Sequence, residues 1–273
     1  MLHLFLALLI VSASTGCTLL HVPPPAPPLA LPLSGGPDEY VASPPKWKPG
    51  ARTSTRYQSW VEVRAGDRVV LNRVEQGVLT AKGIDRTARG LTRVELSVNG
   101  QAIGFVFFSD EGKIEDVVVT NPKVPKDAKE SFEDWVNPIF WELRSLRLKR
   151  GERTPVDIPS SAFLKGSPPE WLGSFRDPVV LGIEYIGLVE FQGIQAAAFR
   201  LESSDMLQST VYYSGGMRFD TVEVEGIWFI DLTTGLTLTE YHKFTCNGQF
   251  DGKPATMHLV LTNTLDREST GGF

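Results

Sequence analysis

The stretch LTLTEYHKFTCNGQFDGKPATMHLVLTNTL, Leu236 to Leu265, decides the fold. Its apolar residues alternate with polar ones on both sides of Asp251-Gly252, a dipeptide that favours the two-residue turn of a β-hairpin. Counting outward from that turn sets Phe250 against Lys253, Cys246 against Met257, Phe244 against Leu259, His242 against Leu261 and Leu238 against Leu265. Because side chains alternate with period two, a slip of one residue would turn every apolar member of this set to the other face. The segment therefore reads as two long antiparallel strands with one apolar face.

The same register limits the chemistry. His242, Cys246 and His258 are the candidate metal ligands in this stretch, but His258 falls opposite Thr245, on the face away from His242 and Cys246. No metal ligand set is expected, and no cofactor. Glu240 and His242, in contrast, share the apolar face with Leu236, Leu238, Phe244 and Cys246, near Asn263. Such a pair marks either the wet end of a buried face or a polar spot able to orient the head group of an apolar ligand.

Similar patterns precede it. Asn99-Gly100 reads as a hairpin turn that pairs Val98 with Gln101, Leu96 with Ile103 and Val94 with Phe105; Asp110 to Gly112 is the next turn. Gln192-Gly193 would pair Phe191 with Ile194 and Val189 with Ala196. Alternating stretches recur from 69 to 120 and from 179 to 265 with short connections, so the expected fold is mainly β. It is a curved antiparallel meander, a half-barrel or open barrel, over residues 56–273. Its halves, 56–120 and 178–265, share a faint internal echo.

One region departs from period two. In DAKESFEDWVNPIFWELRSL, Asp127 to Leu146, the residues Phe132, Trp135, Val136, Ile139, Phe140, Leu143 and Leu146 follow at helical spacing. The expectation is an amphipathic helical region packed on the sheet, with Pro138 kinking it or opening a second helix. Trp135, Ile139, Phe140 and Leu143 then become candidates to line an apolar ligand site together with Glu240, His242 and Phe244.

The chain opens MLHLFLALLIVSASTGC. Leu4 to Val11 has the length of a signal-peptide apolar run and is too short to span a bilayer. The small residues Ser14, Thr15 and Gly16 before Cys17 resemble the bacterial lipobox. That resemblance implies removal of residues 1–16, a lipid on the Cys17 thiol, and a membrane-anchored envelope lipoprotein. Cleavage after Ser12-Ala13-Ser14 by the general signal peptidase is the other processing the segment allows. Thr18 after the cysteine implies, by similarity to sorting in enteric bacteria, the outer membrane, with the protein facing the periplasm.

Residues 17–55 follow as a lipidated N-terminus and proline-rich segment, with ten of the 19 prolines between Pro23 and Pro49. Proline favours an extended path, so this stretch is expected to stay out of the core and hold the body off the bilayer. Pro24 and Pro27 also stand at the spacing of a proline-rich docking motif.

Composition excludes more than it assigns. With 27 basic and 32 acidic residues, a net charge of −5 and no basic run, nucleic acid is not an expected partner. The two cysteines give no disulfide framework. No nucleophile elbow, zinc-protease helix or phosphate loop occurs in the sequence, so no catalytic residues are assigned and an enzyme is not expected. The elements together resemble, in architecture, the half-barrel proteins that carry lipoproteins or lipids across the bacterial envelope. The resemblance implies a non-enzymatic protein binding an apolar or lipid-like ligand between sheet and helix; the alternative is a structural lipoprotein that binds another envelope protein.

Overall fold

The computed structural model describes residues 21–27, 33, 36–41, 45–122, 147–158, 160, 173–213 and 216–273. The helical region expected over 127–146, and with it Trp135, Ile139, Phe140 and Leu143, lies outside the described residues, as does Cys17. All fourteen regular elements among the described residues are strands. They are β1 (Glu39–Val41), β2 (Arg52–Ala65), β3 (Arg68–Arg86), β4 (Thr92–Val98), β5 (Gln101–Phe108), β6 (Ile114–Val119) and β7 (Arg147–Lys149). The rest are β8 (Arg153–Ile158), β9 (Val179–Phe191), β10 (Ile194–Ser203), β11 (Val211–Tyr213), β12 (Met217–Asp231), β13 (Thr237–Phe250) and β14 (Lys253–Leu265).

Twelve strands form one antiparallel sheet in the order β6-β5-β4-β3-β2-β14-β13-β12-β10-β9-β8, with β11 beside β12. The path has two ends and does not close into a barrel. Most neighbours are consecutive strands joined by tight turns. The main exception is the pairing of β14 with β2, which brings the last strand against the first long one and fuses the two sequence halves into a single sheet. β1 and β7 make a separate two-stranded ribbon.

The hairpin at Asp251-Gly252 has the register read from the sequence. Phe250 pairs with Lys253, Cys246 with Met257, Phe244 with Leu259, His242 with Leu261, and His258 faces Thr245. Asp251 holds φ at 48° and Gly252 at 74°, the left-handed geometry this turn demands. The Gln192-Gly193 hairpin likewise pairs Phe191 with Ile194 and Val189 with Ala196.

The Asn99-Gly100 hairpin corrects the sequence reading. Val98 does face Gln101, but Leu96 pairs with Gly104 and not Ile103, and Val94 with Val106 and not Phe105. A bulge between Leu96 and Ser97 leaves Ile103 as the extra residue. Its carbonyl accepts the amides of Thr120 and Asn121 at 3.0 and 3.1 Å, so the residue lost to one ladder anchors the end of β6.

A second bulge moves Leu238. The step from Phe229↔Thr239 to Ile230↔Thr237 passes over it. Leu236 and Leu238 therefore pack with Val189, Ala196, Ala198, Phe229 and Leu265, where Phe191 stacks on Phe229 at 4.6 Å, and not with Glu240 and His242.

The proline-rich segment is also corrected. Described parts of 17–55 join the body instead of standing off it. Tyr40, on β1, is 7% exposed and packs edge-on to Phe199 at 4.8 Å. Trp47 is 9% exposed, stacks on Phe108 at 5.6 Å and closes a cluster with Ala81, Val94, Leu96 and Val106. The C-terminal Phe273 meets Trp47 edge-on at 4.9 Å. Proline fixed the path of this segment, but the aromatic residues between the prolines supply the apolar area that fastens it.

Candidate functional site

Register across the sheet builds the site. We call inner the face that carries Trp228, and outer the face that carries Trp60 and Lys243. On the inner face, Tyr185 pairs with Phe199, Phe199 with Trp228 and Trp228 with Glu240. Glu240 in turn pairs with Asn263, Asn263 with Tyr57 and Tyr57 with Gly77. Seven strands thus contribute one row of positions, six side chains ending at Gly77, about 29 Å long at the usual interstrand spacing.

The row changes character along its length. Its β9–β12 end is aromatic: ring centroids are 5.5 Å apart for Tyr185 and Phe199 and 5.9 Å for Phe199 and Trp228, with Tyr40 above. Its β13–β2 end is polar. Asn263 Nδ2 donates to Glu240 Oε2 at 2.7 Å. Tyr57 shares a hydrogen bond with Asn99, whose Oδ1 accepts the Val78 amide at 2.8 Å. Burial raises the Tyr57 phenol above its ordinary range. A Cβ at Gly77 would meet the Tyr57 phenol and the Asn99 amide oxygen, which would have to shift to admit it.

His242 stands one step along the strand from Glu240 on the same face. It is 6% exposed and meets Trp228 edge-on at 6.1 Å. Burial lowers its pKa to about 4, so the imidazole is neutral at pH 7. Phe244, the next inner residue, is half-buried between Val224 and Leu259. Cys246 follows, buried, its thiol pushed up to about 12 by burial. A thiol held in that state is a small apolar group and not a nucleophile.

The structure therefore brings three of the sequence candidates together, Glu240, His242 and Phe244, on one face of β13. Trp135, Ile139, Phe140, Leu143 and Cys17 lie outside the described residues. Sequence reasoning missed Tyr57, Phe199, Trp228 and Tyr185 as members of the row. The turns at Gln192 and Asp251 carried part of the signal, but the β14–β2 pairing has no connecting turn to read.

Elsewhere among the described residues a cleft of about 380 Å³ lies between Arg153, Glu202, Glu223, Glu225, Lys243 and Thr245. Both of its cations are paired, Arg153 with Glu202 at 2.9 Å and Lys243 with Glu225 at 2.6 Å. No cluster of three His, Cys, Asp or Glu residues fit to hold a metal ion occurs among the described residues.

No family model matches the chain, and no curated protein matches it. Some solved structures align with it distantly. Lipovitellin, in a structure concerned with its lipid–protein interactions, aligns with 83% of this chain at a TM-score of 0.42 and 10% identity. The chain spans 26% of the lipovitellin chain. A DUF1329 family protein from Desulfovibrio piger covers 78% of this chain and 86% of its own at a TM-score of 0.18 and 9% identity. The Pseudomonas aeruginosa MucA/MucB complex covers 79% and 90% at a TM-score of 0.18 and 9% identity. Likeness at this level carries no functional argument.

Proposed function

We propose that this protein is a non-enzymatic, membrane-anchored envelope lipoprotein that holds an apolar, acyl-bearing ligand against the inner face of its sheet. In this reading residues 1–16 are an export signal, Cys17 carries the lipid, and the body faces the periplasm from the outer membrane. The observation that supports ligand binding is the graded row: aromatic over Tyr185, Phe199 and Trp228, then polar over Glu240, Asn263 and Tyr57. An acyl chain gains about 0.8 kcal/mol per CH₂ that leaves water; Tyr185, Phe199 and Trp228 are 0–3% exposed, so in this reading the chain reaches them by displacing what covers them, Tyr40 included. A head group with hydrogen-bond donors finds acceptors at the other end, where the Glu240 carboxylate already accepts from Asn263.

A non-catalytic role is part of this reading. His242 is neutral and enclosed, Cys246 is held protonated, and the described inner face places no activated nucleophile beside a base. Native mass spectrometry of protein extracted from membranes tests the binding reading. A bound lipid-like mass in the wild type, lost in Phe199→Asp that still folds by circular dichroism, is the expected result. Ligand-free wild-type protein that also fails to take up cis-parinaric acid overturns it.

A further inference from the structure

The outer face holds a feature that ligand binding does not use. There the backbone of His21 is clamped by one side chain: the His21 amide donates to Asn72 Oδ1 at 2.8 Å, and Asn72 Nδ2 donates back to the His21 carbonyl at 3.1 Å. Trp60 Nε1 donates to the same carbonyl at 2.8 Å. Asn72 is itself fixed, because its Nδ2 also donates to Glu62 Oε2 at 3.0 Å, and Glu62 accepts from Arg64 Nε at 2.5 Å. Trp60 and Glu62 are 5% and 8% exposed. An asparagine amide that binds both the N–H and the C=O of one residue copies the bond pattern of a strand partner.

We propose that the β2–β3 end of the sheet, on the turn side of the clamp at Trp60 and Asn72, is the membrane-proximal end of the protein, and that its partner is the bilayer that holds acylated Cys17. The proposal rests on the anchor reading above and adds an orientation to it. Chain length supplies the argument. A free proline-rich tether from Cys17 to Pro49 could extend about 100 Å at 3.1 Å per residue. The clamp at His21 leaves four residues, which reach at most about 14 Å. Residues past the clamp cannot lengthen that leash while it holds. Val22, beside the clamp, is an apolar side chain 80% exposed, which a bilayer surface suits better than water.

The opposite end of the same strand lies far off. Arg86 closes β3 fourteen residues after Asn72, about 46 Å along the strand. A seated protein therefore presents the β2–β3 turn, with Arg68, near the headgroups and the β3–β4 turn, with Arg89, away from them.

The full chain, extracted and reconstituted into phosphatidylethanolamine and phosphatidylglycerol vesicles with headgroup spin-labelled lipid, tests this. A bimane is placed on Arg68→Cys or Arg89→Cys, both exposed sites, with the buried Cys246 left in place. The expected result is flotation with the vesicles and at least threefold stronger quenching at position 68 than at 89. Adding Trp60→Phe with Asn72→Ala should level the two. Floating protein with equal or reversed quenching overturns the seating while the anchor stands. Protein that does not float overturns the anchor and the seating with it. A difference that survives the double variant, shown folded by circular dichroism, overturns the clamp as its cause.

Discussion

Gly226 lies beneath the imidazole of His242, its partner across β12 and β13: a Cβ on Gly226 would stand 2.8 Å from His242 Nδ1 and 3.1 Å from the Tyr241 carbonyl. Glycine weakens a strand interior, so its place in VEVEGIWF is explained by what it makes room for. Gly226→Ala should cost about 1–3 kcal/mol, the usual range for overpacking. In a His242→Ala background most of that cost should disappear. Urea denaturation of the four proteins gives the coupling directly. An unchanged cost in both backgrounds would show that the imidazole is not what excludes the side chain.

Burial of His242 makes stability depend on pH. Its folded pKa, about 4, lies below the ordinary 6.5, so the unfolded chain takes up a proton first. Stability from this group is full above pH 6.5, falls as pH drops from 6.5 towards 4, and levels below that. The separation corresponds to something on the order of 3 kcal/mol. His242→Gln should flatten the stability curve between pH 6.5 and 4 whatever it does to stability at pH 7. Melting temperatures across that range measure the slope.

Cys246 should be silent in the native protein. With its thiol pushed up to about 12 by burial, it should not react with a disulfide reagent at pH 8 until the chain unfolds. The count then tests the anchor as well. Protein extracted from membranes should release one titratable thiol in guanidinium, Cys246 alone, because Cys17 is blocked by its lipid. Two thiols would mean that Cys17 is free.

The local hairpins were legible because turn chemistry and apolar alternation agree there. At Asp251-Gly252, both set the same register over twelve residues on either side. What sequence could not show was where a strand breaks its own period. Ile103 and Leu238 look like ordinary alternating residues, and each is displaced by a bulge in the pairing with a neighbouring strand. β1, β7 and β8 were missed because three to six residues carry too little pattern to rise above loops. Half of the candidate site was visible for the same reason: Glu240, His242 and Phe244 belong to one hairpin. Tyr57 and Phe199 reach them only through pairings that no local turn encodes.

Trp47 tests whether the proline-rich segment is structural. It fills the space over Ala81, Val94, Leu96, Val106 and Phe108, and Thr92 Oγ1 donates to its carbonyl at 3.1 Å. Trp47→Ala should cost about 3–5 kcal/mol, the range for removing a buried aromatic side chain. A segment that merely spaced the body from the membrane would show no such effect. Denaturant midpoints of the two proteins decide between them.

The clamp on the outer face should loosen in acid. The Arg64 hydrogen bond holds the Glu62 carboxyl below its ordinary 4.5, with Asn72 contributing in the same direction and burial opposing both. Because the folded pKa is depressed, the stabilisation is complete above pH 4.5 and is lost as pH falls through the folded value. Protonation weakens the acceptor that fixes Asn72, and Asn72 in turn fixes His21. The Trp60 indole N–H, which donates to the His21 carbonyl, reports on the far end of that chain. Its proton resonance should titrate below pH 4.5 in the wild type. In Glu62→Gln, where there is no charge to lose, the same resonance should stay constant over that range. A titration that persists in Glu62→Gln would place the acid-sensitive group elsewhere and separate the clamp from this carboxylate.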